Sequence, residues 1–283
     1  MRKFLSSYPK WLVFALAGLL GAGLFNGIFE LFFYNPRAGR TLVTIALFTG
    51  AWCGFFSAGI AIALFAVQRA LLGAEEFIAE SVKPLAIGFV LGGLSGAAAQ
   101  FMYSFAHASG ISAGELPRIV AWAMAGGGLG LALSLAVPNL KAIRAFLFGS
   151  LGGFAGAIGF IAVCYVANDI GARLVGTSVI GLFVGLSVAV AEATAKEGFL
   201  RVVWGPGEYT RVNLGEKPVL VGSSRESTVR MASSAGYPPI VATFSLQKGQ
   251  ATMVNHMSRT THVLRNGNKL TLGTVVIEIH LFS

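Results

Sequence analysis

Charge is the scarcest ingredient of this chain. Aspartate, glutamate, lysine and arginine make up 12% of its 283 residues, whereas 55% are hydrophobic and the mean hydropathy is +0.72. An ordinary soluble domain carries about twice that share of charge, so a single soluble globule and a disordered chain are excluded. Cysteine is almost absent. Cys53 and Cys164 both sit inside apolar runs, which excludes a disulfide scaffold and a thiolate metal site and marks them as small core- or lipid-facing residues. His256, His262 and His280 have no thiolate or carboxylate companions at ligand spacing, so no metal is expected. There is no Walker A sequence, no His-Glu-x-x-His and no Gly-x-Ser-x-Gly, hence no enzyme and no cofactor is expected. A dense acidic relay and an arginine ladder are missing too, which disfavours ion pumps and voltage sensors.

What is present is a series of apolar runs at 11–33, 42–67, 85–106, 119–137, 145–167 and 175–194. Each is long enough to cross a hydrocarbon core of about 30 Å at ~1.5 Å per residue. Pro9, Pro36, Pro84, Pro117 and Pro138 fall at run edges and none inside, as helices that cannot spare backbone hydrogen bonds require. Trp11, Trp122 and Phe32-Phe33-Tyr34 lie near run ends, where amphipathic rings favour the headgroup level. The first run is too long for a signal-peptide core and lacks a clear small-x-small site, so it is read as a retained helix. The formal charge of +9 is read as topology rather than as a nucleic-acid footprint. With the N-terminus inside, the inner segments hold eight Lys/Arg and the outer ones, with Arg37, Arg40, Arg118 and Arg173, hold four. Both termini are therefore predicted to be cytoplasmic, in an inner membrane. The acidic stretch 73–82 is read as a solvated surface connector.

Small residues recur every fourth position in nearly every run, including Gly88, Gly92 and Gly96, and Gly181 and Gly185. Such zipper-like stripes let helix backbones approach closely; a lined pathway or a homo-oligomer interface are the alternative uses. Residues 87–100 weakly echo 180–192, in opposite membrane orientation, as in an inverted repeat of three plus three spans. The polar groups inside or at the ends of the runs are Asn26, Glu30, Gln100, His107 and Glu192. The glutamates lie near run ends, where snorkelling or placement at the interface explains them, His107 is likewise near an edge, and Asn26 and Gln100 are placed to hydrogen-bond between helices.

Beyond Thr194 the period changes. Short alternating segments such as 201–204, 218–221, 251–254 and 274–279, separated by Gly, Asn, Ser and Pro, predict a β-sandwich or barrel of about 85 residues. The predicted architecture is a polytopic all-α membrane bundle of about six glycine-rich transmembrane helices (1–197) followed by a small all-β sandwich (198–283). The second domain carries a net charge of +5, which suits a surface resting on anionic lipid headgroups.

Val219-Leu220-Val221-Gly222-Ser223-Ser224 and Thr228-Val229-Arg230-Met231, then Tyr237–Phe244, Ser258–Leu264 with Asn266-Gly267, and Leu272-Gly273 before 275–279, occur in the order of a forkhead-associated (FHA) domain, which residues 200–283 resemble. That resemblance implies phosphothreonine-peptide binding through loop residues, chiefly the Arg after the glycine, the Ser of Ser-x-x-His and the Asn after a later Ser. Here those positions hold Ser223, Pro238 and Thr260, so the strongest phosphate donor is missing. The remaining candidate partner-binding donors are Ser224, Arg225, Ser258, Arg259 and Asn266. The expected protein is thus an integral inner-membrane signalling scaffold or regulator presenting a degenerate FHA-like domain to a cytoplasmic protein partner. A transporter or channel with a regulatory FHA-like domain is the alternative, favoured if a cavity lies beside Asn26 or Gln100.

Overall fold

The computed structural model describes residues 2–33, 41–74, 78–110, 115–134, 139–167, 169–194, 198–215, 217–247 and 249–282. Arg37, Arg40 and Lys196 of the charge count, Pro36, Pro138, Tyr34 and the acidic pair at 75–76 lie outside them. A short helix α1 (Arg2–Ser6) precedes six long helices: α2 (Lys10–Phe32), α3 (Leu42–Leu71), α4 (Ile78–Ala108), α5 (Leu116–Ser134), α6 (Ala142–Cys164) and α7 (Asp169–Ala193). All six are long and apolar enough to span a membrane. They form a closed ring in chain order, α7 returning to α2, while α3, α5 and α7 touch one another across the centre.

With lipid as solvent, no hydrophobic force separates helix–helix from helix–lipid contact, so close packing must supply the attraction. The small-residue stripes meet that need inside one chain. A Cβ on Gly92 would overlap the Ser57 side chain, one on Gly96 would overlap Cys53, and one on Gly88 would press on Ala61, all between α3 and α4. Gly181 and Gly185 meet the backbone of Gly18 and Phe14 between α7 and α2, and Gly126 and Gly130 meet Gly149 and Ala145 between α5 and α6. These faces are occupied by neighbouring helices of the same chain. The echo between 87–100 and 180–192 joins segments with unlike surroundings: α4 is a rim helix with 17% of its apolar window buried, whereas α7 reaches the centre and has 50% buried.

Two expectations from the sequence are corrected. Pro84 lies inside α4, not at its edge, because the helix extends back through 78–83. Its missing N–H costs the bond to the Glu80 carbonyl, a position beyond the apolar stretch and thus outside the hydrocarbon that makes such losses severe. Trp122 does not sit at the bundle's end surface; it is 8% exposed and packs against Trp52, Phe56 and Phe160. Trp11, Phe32 and Phe33 remain at least half exposed.

The C-terminal domain is a sandwich of two sheets. Its strands are β1 (Gly198–Gly205), β2 (Glu208–Asn213), β3 (Val219–Gly222), β4 (Val229–Arg230), β5 (Ala242–Gln247), β6 (Gln250–Asn255), β7 (Thr260–Leu264), β8 (Lys269–Leu272) and β9 (Val275–Leu281). One sheet runs β2-β1-β9-β8, the other β4-β3-β5-β6-β7. Alternation buries Leu200, Val202, Ile277 and Ile279 from the first against Val219, Val221, Phe244 and Met253 from the second. The same core includes Leu72, which caps α3. Helix α3 ends there in a Schellman motif: Ala74 N–H bonds the Arg69 carbonyl and Gly73 N–H that of Ala70. Gly73 has φ +85 and lies so close to the Arg230 carbonyl that a Cβ would overlap it. Both α1 and the sandwich lie at this end of the bundle, since Arg2 pairs with Glu208 and packs over Trp204.

Gly92→Leu should therefore force α3 and α4 apart and lower the thermal midpoint in detergent by about 3–10 °C, the effect of overpacking at this chain size. Light-scattering or dye-based melting checks it against Leu94→Ala, whose side chain is 65% exposed on the same helix; an unchanged midpoint for Gly92→Leu would contradict the packing account.

Candidate functional site: a cavity at the far end of the bundle

Five of the six spans converge on a cavity of about 360 Å³ at the end opposite the sandwich. Its wall consists of Thr49, Trp52 and Cys53 of α3, Gly96, Ala99, Gln100 and Tyr103 of α4, Arg118 through Ala125 on one face of α5, Phe160 and Cys164 of α6, and Ala172 and Arg173 of α7. The space exists because six wall positions are Gly or Ala. Ala125 is nine residues into α5, so the cavity reaches about 14 Å down, near half the thickness of a hydrocarbon core. Beneath it Ile60, Leu64, Leu129, Leu133, Ile180, Val184 and Val188, all at most 2% exposed, close the centre toward the sandwich.

Of the five polar candidates, one lines this cavity, and Asn26, Glu30 and His107 contact residues that line it. Gln100 lines it and donates to Ser104 Oγ at 3.0 Å. Asn26 is fully buried behind the wall: its Nδ2 donates to the Arg173 carbonyl and Thr177 Oγ1, both at 3.0 Å, and its Oδ1 accepts from Trp52 Nε1 at 2.6 Å. Three of its four hydrogen bonds are thus made, and they fix the Trp52 ring as floor. Glu30 does not snorkel. It grips Arg173 through both oxygens, at 2.7 and 3.1 Å, in the bidentate geometry that suits guanidinium and carboxylate. His107 stacks on Tyr103, which lines the cavity and carries the Arg118 guanidinium over its ring. Cys53 and Cys164, read from the sequence as lipid- or core-facing, are both wall residues.

Glu192 belongs elsewhere, at the junction with the sandwich. It is 3% exposed, pairs with Lys10 at 2.7 Å, and its carbonyl accepts from Asn213 Nδ2 at 3.0 Å. Burial lowers the affinity of the nearby Arg211 guanidinium for its proton, and the Glu192 charge opposes that shift. A second junction contact is Asn139, whose side chain holds the Asn213 and Lys217 carbonyls and the Lys217 N–H.

The third junction involves the β3–β4 connection and was missed in the sequence. Glu80, within the stretch read as a solvated connector, lies between two arginines: Oε2 is 2.8 Å from Arg69 of α3 and Oε1 is 2.7 Å from Arg230 of β4. Arg69 also donates to the Arg225 and Ser227 carbonyls, and Arg230 donates to that of Arg225. The β3–β4 connection is thereby tied to the bundle. Within it, Ser223 Oγ turns inward to the Tyr237 and Pro238 carbonyls, and Ser224 Oγ accepts from Glu226 N–H. Strand pairing puts the β6–β7 turn at the same end of the sheet. There Ser258 bonds Thr260, and Arg259, at φ +57, is exposed. Asn266 is separated from the others: it follows β7, at the opposite end, and its Oδ1 accepts from Leu281 N–H. No described group of three or more His, Cys, Asp and Glu is arranged to hold a metal.

Removing the Glu80 charge should leave two arginines, each about 10% exposed at the side chain, facing one another. Breaking a buried pair costs about 3–5 kcal/mol; Glu80 itself is one-quarter exposed, so Glu80→Gln is expected to cost about 2–3 kcal/mol. Hydrogen exchange at Arg230 N–H, which bonds the Leu72 carbonyl, should then accelerate while that in β5 and β6 stays unchanged. Unaltered exchange at Arg230 would show that the triad does not hold the junction.

No family model, curated protein or solved structure matches this chain.

Proposed function

We propose that this protein is a solute-binding membrane protein in which occupancy of the far-end cavity is coupled through α3 to a regulatory, FHA-like β domain. The observation that carries the reading is the continuity of α3. Thr49, Trp52 and Cys53 form cavity wall near one end of this 30-residue helix; at the other, Leu72 enters the sandwich core, Arg69 donates to the β3–β4 connection, and the Leu71 and Leu72 carbonyls accept from Thr210 Oγ1 and Arg230 N–H. A ligand that shifts or rotates α3 would act directly on the β3–β4 connection, with no relay through a chain of contacts. The FHA-like reading is supported by the fall of the quoted segments on successive strands of a two-sheet sandwich, and Ser223 and Pro238 argue against phosphothreonine recognition. The scaffold role narrows to the exposed turn at Ser258, Arg259 and Thr260, since Ser223, Ser224 and Arg225 lie in the connection tied to the bundle. Transport is the second reading. It is favoured by Gln68, which is 1% exposed beyond the apolar closure and has neither amide atom hydrogen-bonded among the described residues. The proposed orientation puts both termini and the sandwich in the cytoplasm, with the cavity open to the opposite side.

The test uses full-length protein in nanodiscs with Cys53 and Cys164 replaced by Ser. A charged, water-soluble methanethiosulfonate should modify Ala99→Cys rapidly and Leu94→Cys, on the lipid-facing side, slowly. Modification at position 99 should also change hydrogen exchange at 223–231. Equal, slow reaction at both positions would mean a dry cavity and defeat the reading; reaction without any change at 223–231 would defeat the coupling.

A further inference from the structure

Resting on that reading, we propose that the cavity takes a small organic anion with an apolar body, its carboxylate held by Arg118 and its body laid on Trp52, Trp122 and Phe160. The sign of the ligand follows from which charges face the space. Among the described residues, the wall contains two arginines, Arg118 and Arg173, and no acidic residue; Glu30 and Glu115, their ion-pair partners, are not part of it. The cationic member of each pair is thus the one that contributes to the wall. Fixed charges that line a cleft with low-dielectric walls concentrate ligands of the opposite sign.

Arg118 is the better anchor. Arg173 has both Nε and Nη2 committed to Glu30, whereas Arg118 reaches Glu115 through Nη1 at 2.7 Å. Among the described residues, Nη1 provides the hydrogen bond recorded for Arg118, and its guanidinium face lies over Tyr103. A guanidinium presents its N–H donors as a planar fork from which a carboxylate can accept two parallel bonds. Its side chain is 37% exposed, and the residue lines the cavity.

The floor sets the rest of the ligand. Trp52 spends its N–H on Asn26, and Trp122 and Phe160 pack at 5.9 Å between ring centroids, so the bottom of the cavity is an aromatic surface. A strongly hydrated ion such as phosphate or sulfate would give up water there for few compensating bonds. A monoanion with a ring or short alkyl body buries its apolar part on the floor and keeps its charge at Arg118. Gln100, Thr49 and Tyr103 are left to recognise further polar substituents. At ~30 Å³ per water molecule, the cavity corresponds to about a dozen waters, and its volume falls within the usual range of small-molecule pockets, about 300–1,000 Å³.

The experiment titrates full-length protein in nanodiscs with 4-fluorobenzoate and, separately, with 4-fluorobenzyl alcohol, read by ¹⁹F NMR. Benzoate should bind saturably, and the alcohol, which lacks the charge, about tenfold or more weakly, as expected when a charge-assisted hydrogen-bonded pair is lost. Arg118→Gln should erase the difference between the two probes. Ala125→Leu, which fills the space above the floor, should abolish saturable binding of both and separate it from partition into lipid. The wild-type comparison stands even if a variant fails to fold. Equal saturable binding of both probes would overturn the anion assignment while leaving a solute-binding cavity. Absence of saturable benzoate binding in protein whose Ala99→Cys site is water-accessible would overturn the ligand class but not the cavity. A dry Ala99→Cys site would overturn both.

Discussion

Close approach of helix backbones is the constraint on which the rest of this structure depends. In hydrocarbon, apolar side chains gain nothing by leaving lipid for a neighbouring helix, so the spans cohere through dispersion at short range. Gly88, Gly92 and Gly96 supply that range between α3 and α4, and Gly181 and Gly185 supply it between α7 and α2. The same economy of side-chain volume creates the cavity. Where Ala99, Ala121, Ala125 and Ala172 line the space between helices, side chains too small to fill it leave a cavity bounded by aromatic rings.

Ionic groups follow from this geometry. A carboxylate in or near hydrocarbon is expensive unless paired, and each described acidic residue of the bundle for which an ion pair is recorded has an arginine or lysine partner: Glu30 with Arg173, Glu80 with Arg69 and Arg230, Glu115 with Arg118, and Glu192 with Lys10. Pairs at the far end contribute their arginines to the cavity wall. Those at the near end fasten the sandwich, so the two ends of the bundle use one chemistry for different purposes.

The sandwich is joined to the bundle as a continuation of it rather than as a tethered module. Leu72 shares its core, Gly73 allows β4 to approach the end of α3, and Asn139 and Asn213 bridge backbone segments from both sides. A helix crossing the membrane and ending inside a soluble core is a rigid connection, because neither end can rotate without repacking side chains at interior density. This explains why the β3–β4 connection is occupied by contacts within its own chain.

Much of the fold was legible in the sequence. Scarce charge and six apolar runs specify the spans, and the change from a helical to an alternating pattern after Thr194 specifies the β domain, because hydropathy and periodicity are local properties of the chain. Asn26, Glu30, Gln100 and His107 were visible as polar groups in apolar surroundings. Their convergence was not, since it depends on the rotational phase of each helix, and that phase is fixed by which glycines meet which backbones. The same reason hid the burial of Trp122, which sits near a run end yet faces inward, and the role of Glu80, whose partners are 11 residues before it and 150 after it. Asn266 appeared to belong with Ser258 and Arg259 by motif order, but strand pairing sends β7 to the opposite end of the sheet before that residue is reached. Sequence alone determined which segments enter lipid and which form strands; tertiary packing decided which side chains share a cavity, because that requires distances between helices that no one-dimensional pattern contains.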